Sequence, residues 1–203
     1  MARPRLSSES LLEISLRCAQ AFHEHDGDAP TQVLVTASGL SERTFFRYFP
    51  TKAESLRPLL DAGNRRFADA LSRRLADGAP DHIEAVVDAF GESFSPGSLA
   101  WGNHLMQLVL AVPALRRVWL ESNEDLPALL WPAFARSLGL PAHHDDVLLA
   151  GDEAVLLAVC AIRVKARVGG SPHEAAERVA AAFRRDPLSR RAPTAERPRR
   201  EAD

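Results

Sequence analysis

The sequence predicts an all-α protein, and three observations carry that reading. No stretch alternates apolar and polar residues between turn signals as a half-buried strand does; nearly every periodic stretch repeats at three to four residues. Ser, Thr and Asp stand at the heads of these stretches, and Gly or Pro at their ends, where helix caps and breakers belong. At 203 residues, 46% of them hydrophobic, the chain can bury a substantial core.

The first helix opens at Ser7 or Ser8, carries Glu9 in its first turn, and turns Leu11, Leu12, Leu16, Cys18, Ala19 and Phe22 inward. It stops at "HEHDGDAP", where Gly27 and Pro30 break it. A short helix over Thr31 to Ser38 follows, with Leu34 and Ala37 inward, and Gly39 ends it in the left-handed conformation that glycine adopts at little cost. Ser41 caps a helix of about seven residues that ends before Pro50. Thr51 caps a longer one reaching to about Ala76, whose stripe of Leu56, Leu60, Phe67, Leu71 and Leu75 is interrupted only by Gly63. Beyond "DGAPD" the pattern predicts helices at 82–94, 98–111, 114–122, 124–139, 146–168 and 173–185, punctuated by Pro96, Pro113, Gly139, Pro141 and "GGSP". Residues 1–7 read as a flexible lead and 187–203 as a disordered Arg/Pro-rich tail, because neither holds enough large apolar side chains to fold.

Composition excludes several classes. The longest apolar run, "AVLLAVCAI", is about half of the roughly 20 residues that cross a bilayer, and the N-terminus lacks an apolar signal core, so a cytoplasmic location and no membrane partner are expected. Cys18 and Cys160 lie far apart in helical apolar patterns and read as buried reduced thiols. The basic residues include only two lysines, Lys52 and Lys165. Net charge is −2, and no segment is basic enough to announce nucleic acid by charge alone.

Local geometry supplies that case. In "GLSERTFFRYFPTK" (39–52) four rings fall within five positions. Two short helices separated by "SGLS" form a helix-turn-helix, whose second helix can enter a DNA major groove. Phe45 and Phe49 are four apart and share a face, so they join Leu34, Leu40 and the first helix in a small core. Phe46, about 100° round, belongs with Glu42, Arg43, Thr44, Arg47 and Tyr48 on the outer surfaces. A hairpin wholly buried in a core has no use for Glu42, Arg43, Arg47 and Lys52 in so short a span.

The stretch "GLSERTFFRYFPTKAESL" resembles the end of the DNA-binding domain of TetR-type transcriptional regulators, in its turn, its aromatic recognition helix and the Lys that opens the next helix. By motif the resemblance covers about residues 8–68; the rest matches in length and helical layout. It implies a DNA-binding head over 8–68, a ligand-binding and dimerisation body over 69–186, and a homodimer that represses transcription from a palindromic site on double-stranded DNA. It makes Glu42, Arg43 and Thr44 groove-facing, Tyr48 and Lys52 phosphate contacts, and adds Thr31, Ser41, Phe46 and Arg47 to the DNA-facing set. Two positions depart from the family pattern: Phe46 replaces a frequent tyrosine, and Pro30 falls where a capping Thr is common, with Thr31 beside it able to cap or contact instead.

In the body, helix 146–168 has nine consecutive apolar residues and therefore no solvent face at its middle, so one side meets the core and the other a partner. Helix 173–185 shows a stripe of Ala176, Val179, Ala180 and Phe183. The resemblance implies that these two helices form a four-helix interface with their copies. Between the two ends, Phe67, Phe90, Phe94, Trp101, His104, Met106, Gln107, Trp119, Trp131 and Phe134 can line an effector cavity, with His104, Gln107 or Asn103 orienting the ligand, or can equally be plain core.

"HHDD" (143–146) is better explained by Asp145 or Asp146 capping the next helix than by a metal ion, since adjacent turn residues rarely converge. No metalloprotease helix, P-loop, dinucleotide fingerprint or nucleophile elbow occurs, so no catalytic residue, metal or cofactor is expected. The reading is a ligand-responsive homodimeric regulator released from DNA by a small apolar effector. The alternatives are a helical small-molecule-binding protein or enzyme with a vestigial helix-turn-helix, and an effector-free DNA-binding protein with a filled body.

Overall fold

The computed structural model describes residues 6–94 and 101–185. Ten α-helices fall within them: α1 Ser8–Glu24, α2 Thr31–Ser38, α3 Glu42–Tyr48, α4 Arg57–Ala76, α5 His82–Ser93, α6 Gly102–Ala111, α7 Pro113–Glu124, α8 Leu126–Leu138, α9 Asp145–Val168 and α10 Pro172–Arg184. No strand occurs among the described residues, so the protein is all-α. The flexible lead at residues 1–5, the break at Pro96, the first three positions of the 98–111 helix and the 187–203 tail lie outside the described residues.

The caps act where their chemistry requires. Ser7 Oγ accepts the Ser10 N–H (3.1 Å) and Ser41 Oγ the Thr44 N–H (3.3 Å), each satisfying a donor that the first helical turn leaves unpaired. Asp81 accepts the N–H groups of Ile83 and Glu84, and Ser171 with Glu174 forms a reciprocal capping box at α10. Gly39 ends α2 at φ 71°, a left-handed conformation that costs glycine little.

Two local readings are corrected. The helix expected from Thr51 begins as a 3-10 turn, Ala53–Leu56, and becomes α-helical only at Arg57. Pro58, in the first turn of α4, has no N–H to give the Glu54 carbonyl, so an α-helical ladder cannot run back through this point and tighter i→i+3 bonds replace it. At α9 the cap is His144, whose Nδ1 accepts the Asp146 N–H (3.2 Å); Asp145 and Asp146 occupy the first turn, where their charge favours the helix dipole.

The helices enclose two buried cores, and these do not divide at residue 68. The first joins Ile14, Cys18 and Phe22 of α1 with Leu34, Phe45, Phe49 and Leu56, and extends to Leu105 and Val109 of α6 and Leu115, Val118 and Trp119 of α7. The second packs Phe67, Leu71 and Leu75 of α4 with Phe90, Leu130, Phe134, Leu157 and the buried face of α10. Helix α4 starts against the first core and finishes in the second, so one rigid element belongs to both.

Packing corrects two further expectations. The stripe Ala176, Val179 and Ala180 of α10 is buried within the chain against α5 and α9, with Phe183 half-buried beside it, and is not available to a second subunit. In α9 the uncovered side is narrow but real: Leu149 (56% exposed) and Leu156 (52%) stand seven residues apart on one stripe, near Leu129 of α8 in kind and exposure. Cys18 is fully buried, whereas Cys160 is only half-buried; both are free thiols.

Candidate nucleic-acid interface and body cavity

Helix α3 is anchored through one face. Phe45 and Phe49 are buried with ring centroids 5.2 Å apart, and Phe46 meets the edge of Phe45 (5.3 Å) while remaining 38% exposed. This anchoring leaves Glu42, Arg43 and Arg47 exposed and Thr44 half-buried along the outer side. Two side chains brace the hairpin behind them. Arg17 of α1 donates to the carbonyls of Ala37 (2.8 Å) and Ser38 (3.1 Å), closing the C-terminal end of α2, and the Cys18 thiol lies 3.9 Å from the Leu34 carbonyl. Burial raises the Cys18 thiol above its ordinary range, so it stays protonated and inert.

The flanking residues are partly occupied within the chain. The Tyr48 hydroxyl accepts the Leu6 N–H (3.1 Å), and the Arg47 guanidinium lies 5.1 Å over the Tyr48 ring. Lys52 Nζ donates to Asp28 (2.6 Å) and to the Ala29 carbonyl (3.1 Å), tying the start of the 3-10 turn to the α1–α2 loop. That ammonium holds the exposed Asp28 carboxyl below the usual carboxylate range. Thr31 is the first residue of α2 and does not cap it; Pro30 holds the cap position without a side-chain hydrogen bond. Ser41 and Thr44 are joined by hydrogen bonds at the start of α3, Glu42, Arg43, Phe46 and Arg47 are exposed along it, Tyr48 ends it, Lys52 precedes the 3-10 turn, and Thr31 opens the preceding helix.

A cavity of about 720 Å³ opens at the seam of the two cores. Leu59, Leu105, Met106 and Trp119 come to it from the first core, and Phe90 and Phe94 from the second. A filled body has no such space, and the volume lies within the range of ligand sites. Of the aromatic residues singled out from sequence, Phe90, Phe94 and Trp119 line it, together with Asn103 and Met106.

The others sit elsewhere for packing reasons. Phe67 and Phe134 are buried in the second core, where helical aromatic stripes ordinarily go. Trp131 packs on α9 at Gly151, where a Cβ would stand 2.8 Å from its ring; its indole N–H is buried and has no acceptor among the described residues. Trp101 stacks on His23 (5.5 Å), and His104 Nδ1 lies 2.7 Å from His23 Nδ1, so this pair forms the joint between α1 and α6. Gln107 donates to the Ala166 carbonyl (3.1 Å) and links α6 to α9.

Sequence reasoning missed Gly63, Asn64, Arg66 and Lys165, which also line the cavity. Asn64 Nδ2 donates to the Ser122 carbonyl (2.9 Å), and Ser122 Oγ donates to Asp61 (2.6 Å), pinning α4 to α7 at its edge. One signal was available: Lys165 is one of only two lysines in the chain. Among the described residues no group of His, Cys, Asp and Glu could hold a metal ion, and no helix is long and apolar enough to cross a membrane.

A helix-turn-helix head on an all-α body with a cavity at the seam of its two cores defines the class of fold. More particularly, the chain has the fold of the TetR-family transcriptional regulators. A TetR-family transcriptional regulator from Rhodococcus sp. superposes with a TM-score of 0.57 over 88% of this chain and 98% of its own, at 14% identity. The FadR protein of Thermus thermophilus, a TetR-family transcriptional repressor in complex with lauroyl-CoA, superposes with a TM-score of 0.55 over 92% of this chain and 98% of its own, at 21% identity. No protein-family model matches the chain and no curated protein is similar to it in sequence.

Proposed function

We propose that the protein is a homodimeric, ligand-responsive transcriptional regulator, a repressor that leaves a palindromic operator when a small, mostly apolar effector enters the body cavity. The observation that carries the DNA-binding part is the division of α3: its aromatic face is locked into the head by Phe45 and Phe49, and Glu42, Arg43 and Arg47 are left exposed. In the major groove, Glu42, Arg43 and Thr44 read base edges, and Ser41, Phe46, Arg47 and Thr31 flank the backbone. Tyr48 and Lys52 take phosphates, Lys52 exchanging Asp28 for the phosphate oxygen, both of them exposed anions at similar reach. The cavity carries the effector part, and the lauroyl-CoA held by a protein of the same fold supports it.

Homodimerisation follows from the geometry of reading, since one seven-residue helix contacts too few base pairs alone and a symmetric dimer presents two. The uncovered leucines of α8 and α9 are its contact surface, in place of the α10 stripe. Selection of bound fragments from a genomic or random DNA library tests the whole reading. The expected result is an inverted repeat bound saturably and with strong salt dependence. Recovery of no enriched sequence, with binding that stays weak at low salt, would return the head to a vestigial role.

A further inference from the structure

Two cations and no carboxylate line the described part of the cavity, in a chain whose acidic residues outnumber its basic ones. Lys165 projects from α9, is half-buried, and makes no ion pair among the described residues; its only polar partner is the neutral Asn103 Oδ1 at 2.6 Å. Burial without a counter-ion depresses the ammonium below the ordinary lysine range. Arg66, on α4, likewise has no acidic partner among the described residues. Its guanidinium lies beside the open position of Gly63, 3.9 Å from where a Cβ would stand, with the Phe94 ring edge 4.0 Å from the same point. The acids near the rim do not line the cavity and are engaged elsewhere: Glu174 is turned back on its own capping box, accepting the Ser171 N–H at 2.8 Å, and Asp61 accepts from Ser122 Oγ. Much of the rest of the lining is apolar, including Phe90, Trp119, Met106 and Ile162.

We infer that the cavity takes an anionic amphiphile, its acidic head between Lys165 and Arg66 and its apolar body against Phe90, Phe94 and Trp119. A neutral apolar compound fills the same volume but leaves Lys165 desolvated and unpaired, a state that costs free energy which an incoming anion recovers. Asn103 then acts as the positioning residue: it holds the ammonium toward the cavity while bound, and yields it to the ligand at no loss of a charge pair. This inference deepens the effector part of the proposed function and rests on it. A carboxylate and a phosphate monoester share the chemistry that Lys165 and Arg66 recognise.

The test uses four ten-carbon probes on the full chain: decanoate, decyl phosphate, decan-1-ol and decylamine, each titrated by calorimetry and thermal shift in the absence of DNA. Decanoate or decyl phosphate is expected to bind about 10- to 150-fold more tightly than decan-1-ol, the ratio that a charge-assisted hydrogen bond supplies, and decylamine least of all. Lys165→Met should bring the ratio of decanoate to decan-1-ol affinity close to one, and Lys165→Arg should restore part of the advantage. Arg66→Gln, at an exposed side chain that cannot threaten folding, should weaken the anion alone. Equal binding of decan-1-ol and decanoate, or preference for decylamine, overturns the anionic head while the cavity stands as an apolar effector site. Failure of all four to bind overturns the inference too, and operator binding, measured without ligand, then reports separately on whether the protein is a regulator at all.

Discussion

At the scale of single residues the head divides into groups that read and groups that hold. Lys52 is a point charge already ordered by Asp28 and Ala29, and in the proposed function it meets a phosphate without choosing a sequence. Lys52→Ala is expected to weaken DNA binding about equally for all sequences and to lower the slope of log affinity against log salt by about one. Arg43, exposed on the outer side of α3, offers a planar fork suited to guanine, so Arg43→Ala should change the preference between bases, by about 1–3 kcal/mol at one position. Filter binding across a salt series with two or three operator variants separates the two outcomes. A Lys52→Ala protein with altered base preference and an unchanged salt slope would falsify this division of roles.

At the scale of elements, each helix rests on a few local decisions, and Asp81 shows how much one can carry. It caps α5 through the Ile83 and Glu84 N–H groups and meets Arg184, at the far end of α10, at 2.6 Å. The Arg184 hydrogen bond, with help from the two amides, lowers its pKa from the model-compound 3.8. A depressed carboxyl stabilises the folded state at pH above its unfolded value and loses that contribution as pH falls through the folded value, so the benefit is complete near neutrality and gone in strong acid. Asp81→Ala should cost about 1–2 kcal/mol near pH 7, nearly all from the cap because the ion pair is half-exposed, and lower the melting temperature by about 2–8 °C. The gap between variant and wild type should narrow below the ordinary carboxylate pKa; a gap that persists there would mean packing, not charge, is lost. The caps at Ser7 and Ser41 were legible in the sequence, as were α2, α3, Gly39 and the opposed roles of Phe45 and Phe46, because their signals are local: a capping oxygen, a left-handed glycine, a four-residue spacing; Asp81 was not singled out, and the α9 cap was placed one or two residues late. Apart from the break at Arg57, what was not legible depends on residues distant in sequence. The break at Arg57 needed Pro58 to be set against the Glu54 carbonyl, the joining of α6 and α7 to the head core has no local pattern, and an aromatic stripe such as Trp101 to Phe134 reads the same whether it faces a cavity, a core or His23.

At the scale of the whole molecule, two surfaces must respond to one another. Leu149→Glu with Leu156→Glu should convert a dimer of about twice the chain mass into a folded monomer by light scattering, because both side chains are half-exposed in the single chain and their replacement leaves its cores intact. A wild-type monomer at micromolar concentration would sink the interface. Coupling within each subunit has a concrete route. The cavity is lined by residues of α4, α6 and α7, α4 is joined to Lys52 through the 3-10 turn Ala53–Leu56, α6 holds α1 through the His104–His23 contact, and α7 is pinned to α4 through Ser122, Asp61 and Asn64. In the proposed function, a ligand that spreads this seam moves the head on the body and changes the separation of the two α3 helices of the dimer, which about one DNA turn, roughly 34 Å, would fix in the complex. By linkage the operator must weaken ligand binding by the same factor, typically about 5- to 150-fold. Gly63 offers a way to test the route without touching the head, because a Cβ there meets nothing nearer than 3.9 Å and the position opens on the cavity. Gly63→Leu should fill part of the cavity, gain helix propensity of up to about 1 kcal/mol, and leave operator affinity near that of wild type. In that variant, compounds that release wild type from the operator should no longer bind or release it. If they still did both at unchanged concentrations, the seam would not be the effector site, and the signal to α3 would have to enter the molecule elsewhere.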